Sequence, residues 1–76
     1  MWKYDSQIGA LYIKRLPDNR YGFIFNNVVW ESSHSPEAEA DNIRSFTTGC
    51  YEWDSMEGLI DYPNDISEWQ WLQDPQ

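Results

Sequence analysis

The 76-residue chain is poor in the side chains that build disulfides, metal cages and catalytic dyads, with one cysteine, Cys50, and one histidine, His34. A single cysteine excludes an internal disulfide and any zinc cage made of cysteines. A dyad of Cys50 with His34 is disfavoured, because the helix predicted between them separates them by about 20 Å, at roughly 1.5 Å per residue. We therefore expect Cys50 to be a small buried side chain.

Other chemical signatures are also missing. The acids between positions 52 and 65 lack the loop spacing and the central glycine of a calcium-binding hand. No glycine-rich phosphate loop is present, and no pair of carboxylates stands out as an acid–base couple. We expect no catalytic residue, no metal and no other cofactor, and a protein that is not an enzyme.

Long apolar segments are absent. No run approaches the ~20 residues needed to span a bilayer, and the chain does not open with a positively charged leader and an apolar stretch. A small domain without a disulfide suits a reducing compartment. We expect a cytoplasmic protein without membrane contact, folded as one small acidic domain over residues 1–76.

Positive charge is scarce and unevenly placed. The net charge is −8, and from Glu31 onward eleven acids share the chain with one base, Arg44. Phosphate backbones attract clustered lysine and arginine, so nucleic acid is an unlikely partner. A protein partner with a basic surface is the more natural match. The alternative is an acidic face that only keeps the protein soluble.

Aromatic side chains, in contrast, are abundant, with five tryptophans, five tyrosines and three phenylalanines. Each can bury roughly 150–250 Å². A chain this short has difficulty building a sufficient core, so we expect most of these aromatics to pack inside the protein.

Three segments predict β-strands. Residues 8–16 and 21–25 are rich in aromatic and β-branched side chains, and a proline turn at 17–19 separates them. The asparagines at 26–27 both tolerate positive φ, which suits a two-residue hairpin turn leading into a third strand at 28–33.

A helix is predicted over residues 36–48. Ser35 is a good N-cap, with Pro36 at the first helical position, and Gly49 is suited to end the helix in the left-handed conformation. The fold class is therefore α+β, a three-stranded antiparallel sheet (β-β-β-α) with this helix on one face. The apolar stripe of the helix consists of Ala40, Ile43 and Phe46.

The strand registers follow from the two turns. The asparagine turn pairs Ile24 with Val29, and a turn centred on Asp18–Asn19 pairs Lys14 with Phe23. Because side chains alternate along a strand, one face should be aliphatic and the other aromatic. The aliphatic face would contain Leu11, Ile13, Ile24 and Val29. The aromatic face would contain Tyr12, Tyr21, Phe23, Phe25, Val28 and Trp30, with Lys14 among them.

The tryptophan-rich C-terminal segment is expected to pack on the aromatic face. Asp65 and Glu68 suggest a short capped helix, whereas alternation of Trp69 and Trp71 also fits an edge strand. A helix or turn is favoured slightly over a strand. The predicted cover consists of Trp53, Tyr62, Trp69 and Trp71.

The stretch LPDNRYGFIFNNVVWESS followed by SPEAEADNI resembles the repeat unit of the YegP-like family of small bacterial proteins. The resemblance covers about residues 11–46, with Asn27 at a position where the family has glycine. It implies β-β-β-α topology and no particular activity, because that family has no settled function. The matching positions are Tyr21, Phe23, Asn26, Val28, Val29, Ser32, Ala38 and Ile43.

Acidity, small size and abundant aromatics favour a protein–protein interaction module. One specific form is a bacterial or phage inhibitor of a nucleic-acid-binding enzyme, of the anti-CRISPR or anti-restriction type, whose carboxylates replace phosphates in a basic channel. The first alternative is a homodimer or larger homo-oligomer joined through the aromatic face. A second is a single-stranded nucleic-acid binder using Tyr21, Phe23 and Phe25 beside Lys14 and Arg20. The predicted partner-binding residues are Glu37, Asp41, Glu52, Trp53, Asp54, Trp69 and Trp71.

Overall fold

A computed structural model describes residues 1–73 of the chain. The fold is α+β, as predicted, with an antiparallel sheet in the order β4-β3-β2-β1-β5. The strands are β1 Trp2–Ser6, β2 Gly9–Arg15, β3 Tyr21–Phe25, β4 Val28–Ser33 and β5 Gln70–Trp71. The helices are α1 Pro36–Arg44 and α2 Tyr51–Asp54, followed by a 3₁₀ turn at Ile66–Glu68.

The sheet has five strands, so the prediction of three is wrong. Strand β1 has no counterpart among the predicted elements, although Trp2 and Tyr4 alternate with polar residues as in a half-buried strand. Strand β5 pairs with β1 through Trp2 and Trp71. The C-terminal segment contains both a short turn of helix and a strand, one after the other. Asp65 caps the 3₁₀ turn, and strand β5 begins immediately after Trp69.

The predicted register between β2 and β3 is wrong by one residue. Ile13, not Lys14, pairs with Phe23. The connection closes with Leu16 inside the loop, where its amide donates to the Arg20 carbonyl at 2.7 Å. A slip of one residue moves every side chain of a strand to the other face, so the aliphatic and aromatic faces do not exist as predicted.

The register of the asparagine hairpin is correct near the turn. Ile24 pairs with Val29, but an irregularity between Phe23 and Ile24 places Phe23 opposite Glu31 rather than Trp30. Such a bulge inserts one residue into the longer strand and changes which side chains share a face beyond it.

Helix α1 begins as predicted and ends earlier. The Ser35 hydroxyl accepts the Ala38 amide at 3.1 Å, but the helix stops at Arg44. The left-handed residue that follows the helix end is Phe46, with φ of 55°, whereas Gly49, with φ of 85°, lies in the loop beyond it. The Thr47 amide donates to the Asn42 carbonyl at 3.2 Å, which closes the helix end. The Phe46 ring stacks on Trp53 with centroids 4.8 Å apart, and this packing offsets the cost of the conformation.

One hydrophobic core lies between the sheet and the segment that contains both helices. The helices, the loops and Trp69 cover the same sheet face, whereas the predicted arrangement had the helix and the tryptophans on opposite faces. The buried core consists of Leu11, Ile13, Phe23, Phe25, Ala40, Ile43, Phe46, Cys50, Trp53 and Trp69.

Within residues 1–73, no helix combines the length and apolar character required for a membrane span.

Candidate functional site

The elements that cover the sheet form an acidic layer, defined here as α1, α2 and the loops that follow them up to Glu68. Its only basic residue is Arg44. Lys14 follows the buried Ile13, and Lys3 lies between Trp2 and Tyr4, which pack against the core. Because side chains alternate along a strand, both lysines lie on the opposite sheet face. Charge is thus segregated in space as well as along the chain.

Two of the predicted docking carboxylates lie one turn apart on α1. Glu37 and Asp41 are both exposed, and residues four apart share one side of a helix. The Asp41 carboxylate accepts from the Arg44 guanidinium at 2.8 Å, an exposed ion pair that contributes little to stability. Glu37 forms no ion pair among the described residues.

The acids of α2 have two different roles. Glu52 is exposed, and its carboxylate accepts from the side-chain amide of Asn26 at 3.2 Å, which connects α2 to the β3–β4 turn. Asp54 instead organises its own loop. Its carboxylate accepts from the Thr48 hydroxyl and the Gly49 amide, each at 2.8 Å, and from the Thr48 amide at 3.0 Å. The structure therefore leaves Glu52 available to a partner and uses Asp54 for folding.

The predicted partner-binding tryptophans also separate. Trp53 is 0% exposed, and its indole N–H donates to the Ile43 carbonyl at 2.8 Å. Trp69 is 6% exposed and packs against the Tyr4 ring at a centroid distance of 5.8 Å. Both tryptophans are buried in the core as a cover for the sheet, but they lie on the same sheet face as α1 and not on the separate aromatic face that was predicted.

Trp71 is the exposed member of the group, with 62% of its surface accessible. Its ring lies 4.7 Å from that of Trp2 in an edge-on arrangement, and Trp2 in turn lies 6.2 Å from Tyr21. Trp71 is on edge strand β5, whereas Glu52 contacts the turn that leads into the opposite edge strand, β4. The structure does not bring Trp71 and Glu52 into one patch.

A buried carboxyl pair lies beneath α1 and was not predicted. Glu39 is 0% exposed and faces β4, where its Oε1 accepts from the Ser33 hydroxyl at 3.0 Å. Its carboxyl group lies within hydrogen-bonding reach of that of Glu31, but two ionised carboxylates have no donor to share. Burial, followed by the hydrogen bond and the charge of Glu31, raises the pKa of Glu39 to about 8. Sequence reasoning missed Glu39 because it lies in the same acidic run as Glu37 and Asp41, which are exposed.

His34 lies in the loop before α1, and Cys50 lies between α1 and α2. Cys50 is buried before α2, and desolvation raises the pKa of its thiol. His34 is exposed in the loop before α1. In residues 1–73 there is no detected pocket, and no three His, Cys, Asp or Glu side chains are grouped to hold a metal ion.

The sheet face away from the helices has a composition that differs from the prediction. Strand pairing places Lys3, Tyr12, Ile24 and Val29 in one row across four strands. Val29 is 50% exposed, and Tyr12 and Ile24 are half-buried. We call this row the open face. Correct pairing of β2 with β3 would have been needed to find it.

The aromatics proposed for base stacking are not on that face. Phe23 and Phe25 are buried in the core beneath α1, so neither is exposed to stack on a nucleotide.

No family model, curated protein or solved structure matches this chain. The resemblance of residues 11–46 to the YegP-like repeat unit stays a prediction.

Proposed function

We propose that this chain is a cytoplasmic, non-enzymatic protein-binding module whose acidic layer docks on a basic surface of its partner. The observation that carries the proposal is the spatial segregation of charge, with Arg44 the one cation of a layer that presents Glu37, Asp41 and Glu52 to solvent. A concentrated negative field accelerates association with a positive surface and fixes its orientation.

The more specific form of the proposal is inhibition of a nucleic-acid-binding enzyme encoded in the same bacterial or phage setting. A channel that binds a phosphate backbone uses clustered lysine and arginine. Carboxylates on a rigid helix such as α1 present repeated negative charge to the same groups. Glu37 and Asp41, about 6 Å apart at 1.5 Å per residue, would occupy part of such a channel.

The test compares two variants of equal net charge. Glu37→Gln with Asp41→Asn removes two charges from the acidic layer, and Asp5→Asn with Asp18→Asn removes two from the sheet side. Each protein serves as bait in a lysate of the native host, and captured proteins are identified and purified. We expect the partner to bind the wild type and the sheet-side variant and to associate at least tenfold more slowly with the layer variant.

Salt and nucleic acid provide the controls. Association should slow as ionic strength rises past physiological values, where screening acts within about 8 Å. For the inhibitor form, a short DNA or RNA duplex should compete with the module for its partner. Binding that ignores salt and responds equally to both double variants would refute docking through the acidic layer.

A second candidate function is a homo-oligomeric structural protein, and the open face favours it. Val29 is exposed and Tyr12 and Ile24 are half-buried, so the open face presents apolar surface to solvent, and such surface is typical of interfaces. Light scattering over a concentration series tests this function. Self-association that Val29→Lys abolishes would support it, and a monomer at every concentration would eliminate it.

A further inference from the structure

The most unusual group in this molecule is the carboxyl pair of Glu31 and Glu39, which joins edge strand β4 to helix α1. Glu39 Oε2 and Glu31 Oε1 are both buried, and neither has a hydrogen-bond partner among the described residues. Two ionised carboxylates offer acceptors only, so they cannot satisfy each other. A single proton between them would satisfy both oxygens at once.

The one cation near the pair, Arg20, forms no ion pair with it in place of that proton. The guanidinium of Arg20, on the β2–β3 loop, lies near enough to attract Glu39. Its hydrogen bonds, however, go to the Ser32 hydroxyl and carbonyl, each at 2.8 Å. Among residues 1–73, neither Glu31 nor Glu39 forms an ion pair.

The remaining neighbours are neutral. From β4, the Ser33 hydroxyl donates to Glu39, and from α1 the Asn42 side-chain amide donates to Ser33 Oγ at 3.3 Å. From β3, Tyr21 is the titratable residue paired with Ser33 across the strands. These contacts hold one carboxyl oxygen of Glu39 and leave the other facing Glu31.

We propose that Glu31 and Glu39 share one proton and so form a pH-dependent latch, which holds α1 on β4 when protonated and loosens when the proton is lost. Loss of the proton leaves two like charges in contact in a desolvated site, where they repel strongly. Because α1 also presents Glu37 and Asp41, the latch would regulate the docking surface. That consequence rests on the proposed function, whereas the latch is tested on the protein alone.

The sign of the pH dependence follows from linkage. The pKa of Glu39 is raised from 4.5 to about 8 in the folded chain, so the folded state holds a proton that the unfolded state releases. The stabilisation from the pair is fully present below pH 4.5 and is lost as the pH rises toward 8. Carboxylates that gain an ion pair or hydrogen bonds to their charged form show the opposite trend, because folding lowers their pKa.

The first experiment is urea unfolding between pH 5 and 9, followed by circular dichroism. Glu39→Gln keeps an acceptor for Ser33 and supplies an amide donor to Glu31, so it imitates the protonated pair. We expect the wild type to become less stable relative to Glu39→Gln as the pH rises. The unfolding equilibrium constant of the wild type, divided by that of Glu39→Gln, should increase by up to tenfold per pH unit and level off above about pH 8. Glu37→Gln, on the exposed side of the same helix, is the matched control and should keep the wild-type slope. Parallel profiles for wild type and Glu39→Gln would overturn the proposal.

The second experiment observes the pair directly by carbon NMR of the glutamate side-chain carboxyls. We expect the Glu39 signal to titrate with a midpoint near 8 and the proton contacts between Glu39 and Ser33 to weaken over the same range. Glu31→Gln should move the Glu39 midpoint down, because it replaces a negative neighbour with a donor. This variant also tests the proposal if Glu39→Gln fails to fold. A Glu39 midpoint near 4.5 in the wild type, or contacts to Ser33 unchanged at pH 9, would refute the latch.

Discussion

Two buried tryptophans provide a sharp test of the core, because they differ in one hydrogen bond. The Trp53 indole N–H donates to the Ile43 carbonyl at 2.8 Å. The Trp69 indole nitrogen is buried and has no partner among residues 1–73. Trp53→Phe and Trp69→Phe remove similar apolar volume, so the difference between the two variants isolates the N–H group.

The expected difference has two contributions. Trp53→Phe loses a hydrogen bond worth about 0.5–1.5 kcal/mol, and Trp69→Phe removes an unsatisfied donor whose burial costs about 1–3 kcal/mol. The first loss is moderated because the Ile43 carbonyl also accepts the Phe46 amide at 3.1 Å. Trp53→Phe should therefore be less stable than Trp69→Phe by roughly 2–4 kcal/mol.

Phenylalanine is chosen because replacement by alanine would remove too much buried apolar surface and could unfold the protein. A buried tryptophan replaced by alanine costs about 3–5 kcal/mol, a large part of the roughly 4–11 kcal/mol expected for a domain of this size. The assay is urea and thermal unfolding followed by far-ultraviolet circular dichroism, since fluorescence would change with the number of tryptophans. A difference of 2 kcal/mol corresponds to about 8–16 °C in Tm. Equal stability of the two variants, or a less stable Trp69→Phe, would contradict a hydrogen-bonded Trp53 N–H and an unsatisfied Trp69 N–H.

Three further predictions concern single positions. Trp71→Ala should change the free energy of unfolding by less than about 1 kcal/mol, because an exposed edge side chain contributes little; if Trp71 meets a partner, dissociation of the complex should quicken instead. Ser35→Ala should cost about 1 kcal/mol in urea unfolding through the lost cap on the Ala38 amide, with Ser35→Asp near neutral as the control. Asp54→Ala should cost about 2 kcal/mol, because the amide and hydroxyl of Thr48 lose a charged acceptor; Asp54→Asn should recover part of that loss, and equal values for the two variants would contradict the role of the carboxylate.

The candidate site was predictable in part. Glu37, Asp41 and Glu52 are exposed acids, and their solvent exposure could be expected from sequence because charged side chains are rarely buried. Glu39 lies in the same acidic run and is nevertheless buried, because α1 turns it toward β4. The local sequence does not show which acid of this run is exposed and which is buried. That depends on which face of α1 packs against the sheet.

Features that depend on a few neighbouring residues could be predicted from the sequence. The Ser35 cap, the two-residue asparagine turn and the strands at residues 21–25 and 28–33 arise from local hydrogen bonds and backbone preferences. The negative charge of the chain after Glu31 is likewise a property of composition alone.

Which side chains share a sheet face depends on strand pairing, and local sequence does not specify that pairing. One extra residue in the loop at Leu16 and one bulge near Trp30 mixed the two predicted faces, since each shifts the alternation of side chains by a residue. The pairing of β5 with β1 joins residues about 70 positions apart, which no local pattern specifies. Burial of Trp53 and Trp69 follows from that closure, because helices and C-terminal segment together cover one sheet face and leave the other open.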